Sequence, residues 1–193
     1  MCGRYYVDDE TAREIEKMVR DLDAQLLKER KDVYPTNETS VLVNNQNNIG
    51  LKNYKWGFPI TYGKGILINA RAETALEKKT FRNSILQRRC IIPAKGFYEW
   101  NKEKNKFTFT RKDKKVMYMA GCYNCFNDTN CFVILTTKAN VSVEPVHNRM
   151  PLILEAEEVK EWLFHKEKTE DILQKTPKLL EVEYEYKQET LNL

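Results

Sequence analysis

Residues 90–111 read CIIPAKGFYEWNKEKNKFTFTR. Three short runs, CIIP (90–93), KGFYEW (95–100) and KFTFTR (106–111), are β-branched or aromatic and are broken by turn residues, which predicts strands, with NKEKNK (101–106) as a hairpin tip. The same texture continues in VMYMAGCY (116–123) and CFVILTT (131–137). Working outward, NNQNNIG (44–50) is a polar turn between two further strand-like segments. Helical spacing flanks this block. Ile15, Met18, Val19, Leu22 and Leu26 predict a helix over Asp8–Asp32, with Thr11 and Glu14 as a capping box. A second helix is expected over Glu73–Arg88, with Phe81, Ile85 and Leu86 inward, and a third over Glu157–Phe164, with Val159, Trp162 and Leu163 on one side. Strands in a central block with helices around them give an α+β fold: a single compact domain, 1–193, whose curved, barrel-like, mostly antiparallel β core is flanked by helices.

Bulk properties set the boundaries. At 193 residues, 41% hydrophobic and 31% charged, the chain is an ordinary globular one, large enough for a substantial core. No apolar run approaches membrane-spanning length and MCGRYYVDDE has no secretion-signal core, so no membrane role and a cytoplasmic location are expected. Five cysteines, an odd count, fit a reducing compartment better than a disulfide framework. Cys122 and Cys125 form a C-x-x-C with Cys131 nearby, but no fourth ligand follows at regular spacing, so no metal and no cofactor are expected. Together with Cys90 these cysteines read as small core residues. A net charge of +4 is compatible with nucleic acid without indicating it.

Three places break their local pattern: Asn69 and Arg71 in INARAET, Glu99 among the aromatics of GFYEW, and His147 and Arg149 in EPVHNRMPLIL. A carboxylate among aromatics is costly to bury unless it is paired. Taken alone, Glu99 reads as a solvent-facing strand residue, His147 as a hydrogen-bonded structural histidine, and both arginines as surface ion-pair partners. The functional alternative requires them to converge on one cleft. Cys2 adds a reason to consider it, because a cysteine behind the initiator methionine can become the first residue and then carries a free amine and a thiol together.

MCGRY (1–5), WGFP (56–59), NARAET (69–74), GFYEW (96–100), AGCY (120–123), TTKAN (136–140) and VHNRMPLIL (146–154) together resemble the SRAP family, the abasic-site processing proteins once described as SOS response-associated peptidases. The match is ordered and strongest over residues 2–162; the acidic tail, 180–193, departs from it, as does Lys79, where many relatives carry arginine. The resemblance implies a β-rich fold with one DNA-binding groove and a single-stranded DNA partner containing abasic sites, with no obligate protein partner. It implies Cys2 as nucleophile after loss of Met1, Asn69 as the group that orients it, and Glu99 and His147 as acid/base residues. Arg4, Arg71 and Arg149 would contact phosphates, while Trp56 and Trp100 would line the cleft.

The chemistry expected from such a site is capture of a sugar aldehyde. The α-amine, with a reference pKa of roughly 7.7 to 8.0, forms an imine, and the thiol of the same residue closes a thiazolidine ring. Strand cleavage by β-elimination and self-removal of Met1 are implied as accompanying activities. Two other readings stand beside this one. An N-terminal nucleophile amidase or peptidase would use the same cysteine on other substrates. A non-catalytic DNA-binding module would leave Cys2 incidental.

Overall fold

The computed structural model describes residues 2–19, 31–60 and 63–184. The apolar runs form the strands expected of them, and the pairing order explains why they are so uniformly apolar. Along the chain, β1 (Tyr5–Val7) leads into α1 (Asp9–Met18) and β2 (Lys31–Val33), followed by β3 (Glu38–Asn45), β4 (Asn48–Trp56), β5 (Phe58–Pro59), β6 (Ile66–Leu67) and β7 (Asn69–Arg71). After α2 (Lys79–Gln87) come β8 (Arg89–Ala94), β9 (Gly96–Trp100), β10 (Lys106–Arg111), β11 (Met117–Phe126), β12 (Thr129–Lys138), β13 (Arg149–Pro151) and β14 (Ile153–Leu154). The order ends with α3 (Ala156–Phe164), α4 (Thr169–Leu173) and β15 (Leu180–Tyr184).

Strands β4, β3, β8, β11 and β12 pair in that order, and a parallel contact of β12 with β4 (Cys131 opposite Lys55, Phe132 opposite Trp56) closes them into a five-strand barrel. The remaining contacts of the ring are antiparallel. A second sheet, in the order β15, β10, β9, β1, β2, lies beside the barrel. Side chains alternate between two cores, as the period of a strand requires. Val41, Val43, Cys90, Ile92, Met117, Met119, Phe132 and Ile134 join the core shared with Tyr5, Phe97 and Phe109 of the second sheet. Leu42, Ile91, Tyr118, Ala120, Val133 and Leu135 join the core covered by the helices through Ile15, Ile85, Val159 and Trp162. With both faces buried, the strands cannot show an apolar–polar alternation. Gly121 marks how closely the barrel packs: a Cβ there would lie 2.4 Å from Ile92 Cδ1 and 2.7 Å from the Val133 carbonyl.

Local chemistry sets the element ends. The β3–β4 hairpin turns through Gln46 and Asn47, both at positive φ, as a two-residue hairpin turn demands. Asp8, not Thr11, caps α1: its carboxylate accepts from the Thr11 N–H (2.9 Å) and hydroxyl (2.8 Å). The helix expected over Asp8–Asp32 is corrected, since it ends at Met18, Val19 is extended and Lys31–Val33 is a strand; Leu22 and Leu26 lie outside the described residues. The second helix starts at Lys79, after a 3-10 turn over Ala72–Thr74, rather than at Glu73. Arg89 is a buried charge made tolerable by acceptors: it donates to the carbonyls of Ile85 (3.1 Å), Leu86 (3.3 Å) and Trp162, at the C-terminal ends of α2 and α3, where the helix dipole is negative.

Cys90, Cys122 and Cys131 are buried as expected, but Cys125 is exposed because β11 outruns the barrel there, so its reading as a core residue is corrected. The tail up to Tyr184 forms an edge strand on β10, with Val182 opposite Phe109. Among the described residues, no helix is long and apolar enough to cross a membrane, and no group of three or more His, Cys, Asp or Glu is placed to hold a metal.

Candidate active site

Cys2 is fully buried in the core between the barrel and the second sheet. Three bonds fix its surroundings. Its thiol lies 3.9 Å from the Arg4 carbonyl, toward which it donates, and its own carbonyl accepts from Asn69 Nδ2 at 3.0 Å. The Arg4 carbonyl also accepts from Tyr98 N–H at 3.0 Å, continuing the β1–β9 ladder toward the chain start. Asn69 is the first residue of β7, which lies parallel to β12 with Asn69 opposite Ile134. The other amide atom, Oδ1, is buried and finds no hydrogen-bond partner among the described residues. A buried acceptor without a donor is uncommon and costs about 1–3 kcal/mol. Burial pushes the Cys2 thiol far up from its usual pKa, and the neighbouring Glu99 charge adds to the shift.

Glu99 is buried, which corrects its reading as a solvent-facing residue. Strand alternation is the reason: Phe97 and Glu99 share one face of β9, and Phe97 is fully buried against Phe109 on the barrel side. Desolvation raises the Glu99 pKa, and nearby positive charge, His147 included, partly offsets it. His147 therefore belongs to the same electrostatic neighbourhood, as Cys2 does through its own response to Glu99. The His147 ring is held at one nitrogen: Nδ1 accepts from the Arg149 N–H at 3.0 Å, and the Arg149 carbonyl lies 3.2 Å away. Which of the two contacts operates depends on whether Nδ1 carries a proton.

The expected DNA contacts divide. Trp56 does not line a cleft: it is fully buried, its ring stacks near Phe132 (6.2 Å) and tilts against Tyr5 (5.3 Å), and its indole N–H donates to the Ile68 carbonyl at 2.9 Å. It is a core residue. Arg149, an expected phosphate contact, has its guanidinium bound by groups of the fold. It grips Glu73 with both Nη atoms (2.8 Å from Nη2 to Oε2) and donates from Nη2 to the Thr136 carbonyl at 2.6 Å. Arg71 ends β7 and is exposed.

Arg4 and Trp100 meet on the outer face of the second sheet. The Arg4 guanidinium lies 4.4 Å from the Tyr34 ring centre, 5.1 Å from that of Trp100 and 6.0 Å from that of Tyr98, with Asp32 at 3.9 Å. Lys106 Nζ sits 4.5 Å from the Tyr98 ring centre, and Tyr98 stacks on Tyr6. Cations over aromatic faces are mutually favourable, and such a surface presents both charge and flat rings. Tyr34, Lys106 and Glu73 were missed by sequence reasoning. Tyr34 precedes Pro35 in a turn, so no strand period marked it, whereas Glu73 lay within the quoted NARAET motif and needed only the question of which cation it faces.

The sequence profile of the family described as "SOS response associated peptidase (SRAP)" matches residues 1–189. Among curated proteins, the abasic site processing protein YoqW of Bacillus subtilis is 35% identical, covering 90% of this chain and 85% of that protein. The abasic site processing protein YedK of Escherichia coli is 28% identical, covering 84% and 79%. Among solved structures, a protein from Bacteroides thetaiotaomicron superposes with a TM-score of 0.79 at 24% identity, covering 95% of this chain and 91% of that one, which speaks to the fold. Sequence and architecture agree over nearly the whole length, and the chain belongs to the SOS response associated peptidase (SRAP) family.

Proposed function

We propose that this protein processes abasic sites in single-stranded DNA by covalent capture through Cys2, once Met1 has been removed. The observation that carries the reading is the buried Asn69 amide. Its nitrogen holds the Cys2 carbonyl, and its buried Oδ1 finds no donor among the described residues, a place that an α-amine on residue 2 would fill. Family membership and the names of its relatives support the substrate class.

The steps balance without a redox partner. An abasic sugar exists partly as an open-chain aldehyde. The neutral α-amine adds to that carbonyl and water leaves, giving an imine. The thiol then adds across the C=N bond, its sulfur to carbon and its proton to nitrogen, closing a five-membered ring. Tethering both nucleophiles to one residue makes the second addition intramolecular. Since burial holds the thiol neutral, sulfur needs a base as it attacks. Glu99, whose carboxyl burial keeps partly protonated at higher pH than usual, is suited to give a proton to the departing hydroxyl and take one from the thiol. His147, anchored at Nδ1, can protonate the ring oxygen of the sugar through Nε2 as it opens. The same imine permits β-elimination, so lyase activity and slow reversal accompany capture, and the buried thiol is the group for removal of Met1.

Binding is assigned to Arg4, Arg71 and Trp100, with Tyr34 and Lys106 alongside. Cations neutralise phosphates without reading sequence, and exposed rings stack on unpaired bases. The test is a denaturing gel of the purified protein after incubation with an oligonucleotide bearing one abasic site. A heat-resistant adduct that disappears with Cys2→Ala and with undamaged DNA is expected. Adducts formed equally by Cys2→Ala would refute the assignment of the nucleophile.

A further inference from the structure

One ion pair in this fold has a place in the site that no step above uses. Glu73 lies in the 3-10 turn directly after β7, the strand that carries Asn69, and Arg149 is the first residue of β13. Strand β12 separates those two, with Thr136 opposite Arg71 on one side and Lys138 opposite Arg149 on the other. The Arg149 side chain crosses it, binding the Thr136 carbonyl (2.6 Å) and hydroxyl (3.3 Å) on the way to a two-pronged contact with the Glu73 carboxylate. The Arg149 side chain is only 13% exposed and that of Glu73 48%, so water reaches the carboxylate and the two-pronged geometry, more than the charge, sets how the guanidinium lies. The backbone N–H of the same arginine is what holds His147 Nδ1.

We infer that Glu73 is a positioning residue: by clamping Arg149 across β12 it fixes the backbone that aims His147, and so sets the distance between the His147 and Asn69–Cys2 halves of the site. The inference rests on His147 acting as an acid in the proposed function. A planar guanidinium held at both prongs has one orientation, whereas one held only by Thr136 can pivot about that contact. Misplacement of a catalytic group by a fraction of an ångström to one ångström slows chemistry while leaving the fold and substrate binding nearly intact.

The experiment compares wild type, Glu73→Gln, Glu73→Asp, His147→Ala and the double variant Glu73→Gln/His147→Ala. It reads crosslinking rate at saturating abasic single-stranded DNA, DNA affinity across a salt series, and the ring signals of His147 by nitrogen NMR, with the exposed His165 as internal control. Glu73→Gln is expected to slow the saturating rate by roughly ten- to a hundredfold with affinity and salt slope unchanged. Glu73→Asp should recover part of the rate, and the double variant should be no slower than His147→Ala alone. His147 signals should move in Glu73→Gln while those of His165 stay. Wild-type rate in Glu73→Gln, or an equal further loss in the His147→Ala background, would overturn the inference. So would tighter binding with a steeper salt slope, which would mean that Glu73 screens Arg149 from phosphate. If wild type forms no crosslink, the proposed function fails, and the His147 signals alone decide: movement in Glu73→Gln upholds the clamp, and their constancy removes it.

Discussion

Replacing Trp56 by phenylalanine separates a core residue from a DNA-facing one. In the structure the indole is fully buried between Tyr5 and Phe132, and its N–H donates to the Ile68 carbonyl. That carbonyl also accepts from the Ile134 N–H at 3.1 Å, so the substitution removes one of two donors and leaves no orphaned acceptor. The hydrogen-bond loss is therefore near the ordinary net value of about 1 kcal/mol, not the larger cost of an unsatisfied group. A buried Trp covers roughly 150–250 Å². Shrinking it to phenyl forfeits on the order of 1 kcal/mol of transfer energy at ~25 cal/mol per Å², plus part of a cavity penalty. The sum is about 2–3 kcal/mol, which for a chain of this size lowers Tm by about 4–12 °C. Thermal and urea denaturation measure the stability, and fluorescence anisotropy with labelled single-stranded DNA over a salt series measures binding. A stable Trp56→Phe protein with weakened DNA binding would refute the burial argument and return Trp56 to the cleft.

Three further outcomes follow from the same geometry. Glu99→Gln should abolish crosslinking yet raise stability at neutral pH. The folded-state pKa lies above the unfolded value of about 4.3, so ionisation favours the unfolded chain as pH rises from the unfolded toward the folded pKa; Tm of the variant should exceed wild type at pH 7 and converge with it in acid. A wild type more stable than the variant at pH 7 would contradict this. Arg4→Ala should reduce the salt slope of single-strand binding by about 0.7, one phosphate's share, and an unchanged slope would remove Arg4 from the interface. In a Cys2→Ala background, native protein should react quickly with a thiol reagent at Cys125 and only on unfolding at Cys90, Cys122 and Cys131. Two fast thiols would show that the barrel wall is not closed where described.

How far the sequence could be read depended on which faces were buried. CIIP, VMYMAGCY and CFVILTT gave their strands away, but with Ile91 on one core and Cys90 and Ile92 on the other, nothing in them distinguished the inside of the barrel from its outside. The closing contact of β4 with β12 spans two residue pairs, too little to leave a pattern. Elsewhere the signal was present and underused. Lys55 is exposed between buried Tyr54 and Trp56, an alternation that already turned Trp56 inward, and Glu99 sits two residues from Phe97 on the same face. The arginines could not be sorted by type: Arg149 and Arg4 differ only in what the fold sets opposite them, a carboxylate gripping both prongs in one case and aromatic faces with the more distant Asp32 carboxylate in the other. Helix α1 overran in expectation because Val19 continues the apolar spacing while its backbone has already become extended.

The central claim is that one residue supplies both nucleophiles. Intact-mass measurement of the protein after reaction with an abasic oligonucleotide addresses it directly. The account predicts a single adduct whose mass is the chain without Met1 plus the oligonucleotide less one water, absent when Cys2 is replaced by serine. A stable adduct on chains that still carry Met1 would contradict it.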